Sequence, residues 1–311
     1  MAKCWGIWQS TAVVLFLSLL AVQPAFGWGA DGHRMIDRLA GAALPADVPA
    51  FLRTPAALDA IEYYGPEPDR WKSPAEPELR AAETPNHYID LEYADLIGPL
   101  PRNRYDYVRA LEAAQPAHPN LTLTAEKVGM QPYAANEVYE RLESAFRDYR
   151  TLVAAKQNTT PSECEIEFLA GWLGHYVGDG AQPLHTTFQY NGWIGPNPHG
   201  YTTEHTIHAR FETVFVHDNV KPADVEPLVA AAKPTILNDV FTDYVAYLRH
   251  SNSLVEQTYR LDKQGAFNGS GTPAGKAFAA QRLAAAAIEL RDLIYTAWIR
   301  SALPVPGYQL Y

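Results

Sequence analysis

Two histidine–carboxylate pairs carry four-residue spacing: His175 with Asp179, and His208 with Glu212. On a helix, positions i and i+4 share a face, so both side chains of a pair can reach one metal ion. The first pair runs on into Gln182-Pro183-Leu184-His185, where Pro183 ends the helix and turns His185 back towards it. A buried His–Asp pair is the plainer reading of His175 and Asp179; the third histidine, ten residues after His175, tips it towards metal. Surface ion pairs generate the spacing of His208 and Glu212 freely. His199 and His205 have no carboxylate four residues later and are set aside. Two further stretches hold the same residue types. Asp69-Arg70-Trp71-Lys72 precedes a proline-rich segment that leads to His87-Tyr88-Ile89-Asp90. Spacing alone leaves these open between a site and a helix end with a polar turn.

The last cluster, Trp28-Gly29-Ala30-Asp31-Gly32-His33, takes its meaning from what precedes it. Lys3, an apolar run over 11–22 and the small-residue pattern Ala25-Phe26-Gly27 have the order of a secretory signal peptide. The run is too short to span a bilayer, and no later segment approaches the ~18 apolar residues needed. The mature chain is therefore expected to begin at Trp28 and to be exported, periplasmic or secreted. Its α-amine, with a pKa of ~8, would be a metal donor when neutral. An incidental histidine in a capped helix start explains the same residues.

Loss of residues 1–27 removes Cys4 and leaves Cys164 alone, which excludes an intrachain disulfide. It also removes Lys3 and takes the formal charge from −10 to −11, which disfavours a broad basic surface for nucleic acid. Positive charge for a polyanionic substrate must then come from a local source such as metal. A hydrophobic content of 47% with 19% charged residues excludes disorder.

Elements must position these residues, and the periodicity is helical nearly throughout. Over 135–157, Val138, Tyr139, Leu142, Phe146, Tyr149, Leu152 and Val153 recur at helical spacing. Similar stripes cover 32–44, 104–113, 163–178, 204–216, 223–231, 235–259 and 275–301. Alternating runs are scarce and no fixed repeat emerges. The Pro/Gly-rich segments 65–85 and 190–200 read as loops. The expectation is one all-α domain over 28–311.

In this order, WGxxGH, HYVGDxxQPLH and HxxxE resemble the superfamily that joins fungal and plant single-strand-specific nucleases with bacterial zinc-dependent phospholipase C. The resemblance runs over 28–212, about two thirds of the mature chain. It implies an all-helical fold with three zincs at the base of a cleft. Asp69, His87, His175 and Asp179 would hold the first zinc, and His185, His208 and Glu212 the second. The third would take the amine and carbonyl of Trp28, His33, and Asp179 as a bridge. Lys72 stands where the nucleases carry a phosphate-contacting base, Tyr88 where an aromatic stacks on a nucleobase, and Asp90 where an acid reads its edge. Pro68-Asp69-Arg70 replaces the nucleases' Trp-Ala-Asp, and Glu212 in place of Asp is the phospholipase choice.

The implied chemistry is in-line attack on a phosphodiester by water activated between the first and third zincs, with Asp69 and Asp179 holding the metals and Lys72 steadying phosphoryl charge. Three zincs against three carboxylates leave about +3 in the cleft of an acidic protein. A non-catalytic zinc protein would close each site with four protein ligands, whereas the second zinc counts three. The expected partner is single-stranded nucleic acid or a nucleotide, with phospholipid head groups as the alternative; nothing marks an obligate protein partner.

Overall fold

The computed structural model describes residues 28–305; the expected signal peptide lies outside the described residues. The helices that frame the histidine-rich region are α1 (Gly29–Ala42), α2 (Pro55–Tyr64), α3 (Glu67–Arg70), α4 (Pro77–Glu83), α5 (Gln131–Ala154), α6 (Thr160–Ala181), α7 (Val240–Asn252), α8 (Val255–Lys263) and α9 (Pro273–Arg300), with α3 and α4 the shortest of the set. Two isolated bridges, Ile89 with Gly129 and Tyr190 with Gly192, are the extended pairings recorded among the described residues. The fold is all-α.

Helix starts follow local chemistry. Thr54 accepts from the Ala57 amide and Thr272 from the Gly275 amide, each followed by a proline in the first turn, where a missing N–H leaves nothing unpaired. Asn103 and Asp239 cap the helix Arg104–Ala114 and α7 in the same way.

Three expectations need correcting. The stretch 65–85 is not a loop: Pro66, Pro68 and Pro77 sit at helix starts, so they initiate α3 and α4. The stripe over 235–259 is not one helix. The amides of Thr235 and Leu237 are taken by the side chains of Asp292 and Thr296 on α9, which keeps that segment out of a helix, and the chain breaks again between Asn252 and Val255. The stripe over 204–216 begins only at Ile207 and carries a π-helical turn, Arg210–Phe215, inside which Glu212 lies.

α6 is the axis of the molecule. Leu173 to Ala181 is buried on every side, with α5, α9, α2, α1 and α7 packed around it. Glycines permit that approach: a Cβ on Gly171 would stand 2.6 Å from Tyr64 Cβ, and one on Gly178 would stand 2.9 Å from His33 Nδ1. One apolar core runs through these helices, and a smaller one (Leu184, Tyr201, Ile207, Val255, Tyr259) supports the 187–207 segment beyond His185.

Candidate metal centre

The glycine face of α6 lets α1 come close enough for the His33 ring to stack on His175, with centroids 3.9 Å apart and planes 19° from parallel. The start of α1 is fixed from the same side. Trp28 is 1% exposed, donates Nε1–H to the Gly178 carbonyl at 2.6 Å, and packs edge-on against Phe211. Two glycines make this turn possible: Gly29 takes φ +58°, and a Cβ on Gly32 would lie 2.6 Å from Trp28 Cβ.

Asp179 stands at the middle of the centre. Its Oδ2 is 3.0 Å from His87 Nδ1 and 3.4 Å from His175 Nε2; its Oδ1 is 3.5 Å from His33 Nε2 and 3.7 Å from His185 Nδ1. Asp69, on α3, brings Oδ1 to 3.7 Å from His175 Nε2, 3.8 Å from His87 Nδ1 and 2.6 Å from Lys72 Nζ. Glu212 Oε2 lies 3.3 Å from His185 Nε2 and 3.0 Å from His208 Nε2. Three groups result in which ligand atoms lie within 4.8 Å of one another: His33, Asp69 and His175; His87, His175 and Asp179; and His185, His208 and Glu212. His175 is shared by the first two. His33 groups with Asp69 and His175, where the resemblance had paired it with Trp28 and Asp179, although Asp179 Oδ1 is still at 3.5 Å. His199 and His205 lie outside these groups and are exposed.

Backbone carbonyls settle which nitrogens face inward. His175 Nδ1 donates to Gly65 O at 2.8 Å, His185 Nδ1 to His87 O at 2.8 Å, and His208 Nδ1 to Tyr190 O at 3.0 Å. Each Nε2 is thereby turned into the centre. His185 Nε2 and His208 Nε2 face each other at 3.1 Å, and His175 Nε2 faces His87 Nδ1 at 3.0 Å. Two ring nitrogens at that separation repel unless a proton or a metal ion lies between them. Both nitrogens of His33, Asp179 Oδ1 and Glu212 Oε1 are buried with no hydrogen-bond partner. This donor set, nitrogen and carboxylate oxygen in dry surroundings, fits divalent metal.

Charge balance points the same way. Burial opposes ionisation of Asp179, yet His185 and His175 outweigh it and hold the carboxyl well below the usual range. Burial likewise opposes charge on His185, but Asp179 and Glu212 push its imidazole up to about 9. Burial, reinforced by the Lys72 ammonium, takes His87 down to about 3.

A cleft of about 580 Å³ opens onto His87, His185, His208 and Lys72. Tyr88 and Asp90 line it, the Tyr88 hydroxyl donating to Glu126 O at 2.6 Å. Burial, then the neighbouring Glu92, pushes the Asp90 carboxyl up to about 8. Tyr93 stacked on Phe188, with Tyr190 and Ile194, adds an aromatic and apolar stretch to the wall. Sequence reasoning missed these four. It also missed Gln182, which donates to Glu212 at 2.9 Å, although Gln182 sits inside the QPLH motif.

Among curated proteins none matches the chain significantly. The model of the S1/P1 nuclease family matches residues 28–297, nearly the whole of the described chain and every residue of the three ligand groups. The centre thus lies within a matched family domain, and the chain belongs to the S1/P1 nuclease family, a family of nuclease-type hydrolases.

Proposed function

We propose that the chain is a zinc-dependent nuclease, of endonuclease and 3′-nucleotidase type, that cleaves phosphodiester bonds of single-stranded nucleic acid outside the cytoplasm. The observation that carries this reading is the pair of facing Nε2 atoms on His185 and His208, 3.1 Å apart beside Glu212 at the cleft floor. Three zincs suit the donors: Asp69, His87, His175 and Asp179 for one; His185, His208 and Glu212 for the second; His33, Asp179 and the amine and carbonyl of Trp28 for the third. Bound there, zinc supplies Lewis acidity and a water whose pKa falls towards ~7.

The chain's own groups account for the rest. Lys72, on the cleft wall beside Asp69, places an ammonium where a phosphoryl oxygen gathers charge. Tyr88 offers its ring to a base, held in orientation by its bond to Glu126 O. Asp90, still protonated below about pH 8, can donate to a base edge as well as accept. No helix is long and apolar enough to cross a membrane among the described residues. Export rests on the signal-peptide pattern of 1–27.

The test is a parallel assay of protein processed to Trp28 against single-stranded DNA, RNA, a 3′-nucleotide and phosphatidylcholine vesicles, with metal analysis of the same sample. Hydrolysis of the first three is expected, with about three zincs per chain. Hydrolysis of the vesicles alone would move the reading to phospholipase C.

A further inference from the structure

His87 differs from the other cleft histidines. His175, His185 and His208 each hand Nδ1–H to a backbone carbonyl and turn Nε2 inward. His87 turns Nδ1 inward, 3.0 Å from Asp179 Oδ2, so its Nε2 points away. That outward nitrogen is buried and no carbonyl receives it. Facing it, 3.9 Å away, is Oε1 of Glu83, one helical turn earlier. Among the described residues Glu83 is the sole carboxylate within 4.0 Å of this nitrogen.

Glu83 is itself out of character with its surroundings. It ends α4, and every other residue of that helix is exposed, whereas Glu83 is 6% exposed. Burying a carboxylate is costly without partners. Glu83 has them: the Tyr176 hydroxyl donates to Oε1 and Asn86 Nδ2 donates to Oε2 at 3.2 Å. Tyr176 follows His175 directly on α6 and sets its ring edge-on to His87, with centroids 5.8 Å apart. The hydroxyl therefore aims the carboxylate at the back of the imidazole from the same helix that carries His175 and Asp179.

We infer that Glu83, aimed by Tyr176, is a positioning residue for His87: its charge, 3.9 Å from Nε2, keeps the proton on that nitrogen, leaves Nδ1 as the inward donor, and makes Nδ1 more basic. A carboxylate here fills the outer role that carbonyls fill for the other three histidines, and adds charge. The inference rests on the metal reading above. Neither Glu83 nor Tyr176 touches the cleft.

The test uses the intact processed protein and variants E83Q, E83A and Y176F. Zinc dissociation constants are read by competition with a chelator, and the visible spectrum of the cobalt-substituted protein reports the donor set. E83A should weaken one zinc equivalent about 10–100-fold and shift the cobalt bands, with the remaining equivalents unchanged. E83Q should weaken it less, because the amide dipole keeps part of the attraction without the charge, and Y176F should fall between E83Q and the parent. kcat should drop with KM little changed. Should E83A not fold, E83Q and Y176F, which are nearly isosteric with the parent, carry the measurement. Unaltered zinc affinity and cobalt spectrum in folded E83Q and Y176F, or zinc loss only in step with lost helical signal, would overturn the inference. The titration needs no substrate, so failure to cleave single-stranded DNA would count against the proposed function alone.

Discussion

Four histidines converge on the two oxygens of Asp179, all within 3.7 Å, and this convergence sets apart what its replacement should do. Asp179→Asn removes a negative charge shared by two proposed ions, so metal content should fall by more than one zinc and activity should vanish. Lys72→Ala removes a cleft-wall ammonium, so zinc should be retained while kcat drops by about 10²–10³-fold. Loss of zinc in Lys72→Ala, measured by elemental analysis, would contradict the role assigned to it. Proton release tests the second group. With metal absent, His185 is held up to about 9 by Asp179 and Glu212 against burial, so at neutral pH it carries a proton that an arriving ion must displace. Zinc uptake at pH 7 should release at least one proton, and affinity should rise with pH until about 9. His87, taken down to about 3, is already neutral and contributes none. Calorimetry in buffers of different ionisation enthalpy reads the release directly, and its absence at pH 7 would contradict this account.

Helices that carry an amphipathic stripe were legible from sequence, and those that do not were not. The stripes over 135–157 and 275–301 correspond to α5 and α9 within a few residues, because one apolar face meets the core and the other meets water. α2 and α4 escaped notice because α2 buries only Ala57 and Ile61, and α4 only Glu83. The histidine–carboxylate pairs were visible because their partners lie one helical turn apart. Glu83, four residues before His87, offered the same signal in reverse, and Tyr93 and Phe188 offered none, since their meeting is made by tertiary packing. Two consequences belong to helices. Gly178→Ala places a methyl group against His33 Nδ1, so it should cost ~1–3 kcal/mol of stability and part of the zinc content. On α9, burial and then Asp292 push the Glu289 carboxyl from 4.5 up to about 8, and its Oε1 has no partner. Between those values the folded state holds a proton that the unfolded state has lost, so this group's contribution to stability falls as pH rises from 4.5 to about 8. Glu289→Gln should therefore change little at pH 4.5 and stabilise by ~1–3 kcal/mol at pH 8.5. An equal shift in Tm at both pH values would show that the carboxyl does not titrate in this way.

At the scale of the whole molecule, a chain of net charge −10 repels a polyanion overall, so under the proposed function the positive charge gathered at the cleft by Lys72, Lys127 and a completed metal centre decides whether it acts. The N-terminal edge of that centre is the part that the proposed export processing would control. Trp28 is anchored by its ring to Gly178 and Phe211, with its backbone opening α1 five residues before His33. If a residue precedes Trp28, its nitrogen is a planar amide with the lone pair delocalised into a carbonyl, a poor donor to zinc. After cleavage between Gly27 and Trp28 it is an amine with a pKa of ~8, available to an ion near His33 and Asp179. An unprocessed chain should thus fold around the same helical core yet remain incompletely metallated, which would keep a nuclease inactive before export. The comparison is between protein beginning at Trp28 and protein keeping one extra residue, such as methionine, ahead of it. The extended form should show the same helical signal, about one zinc fewer, and far slower hydrolysis of single-stranded DNA. Equal zinc content and equal rates in the two forms would remove the Trp28 amine from the centre.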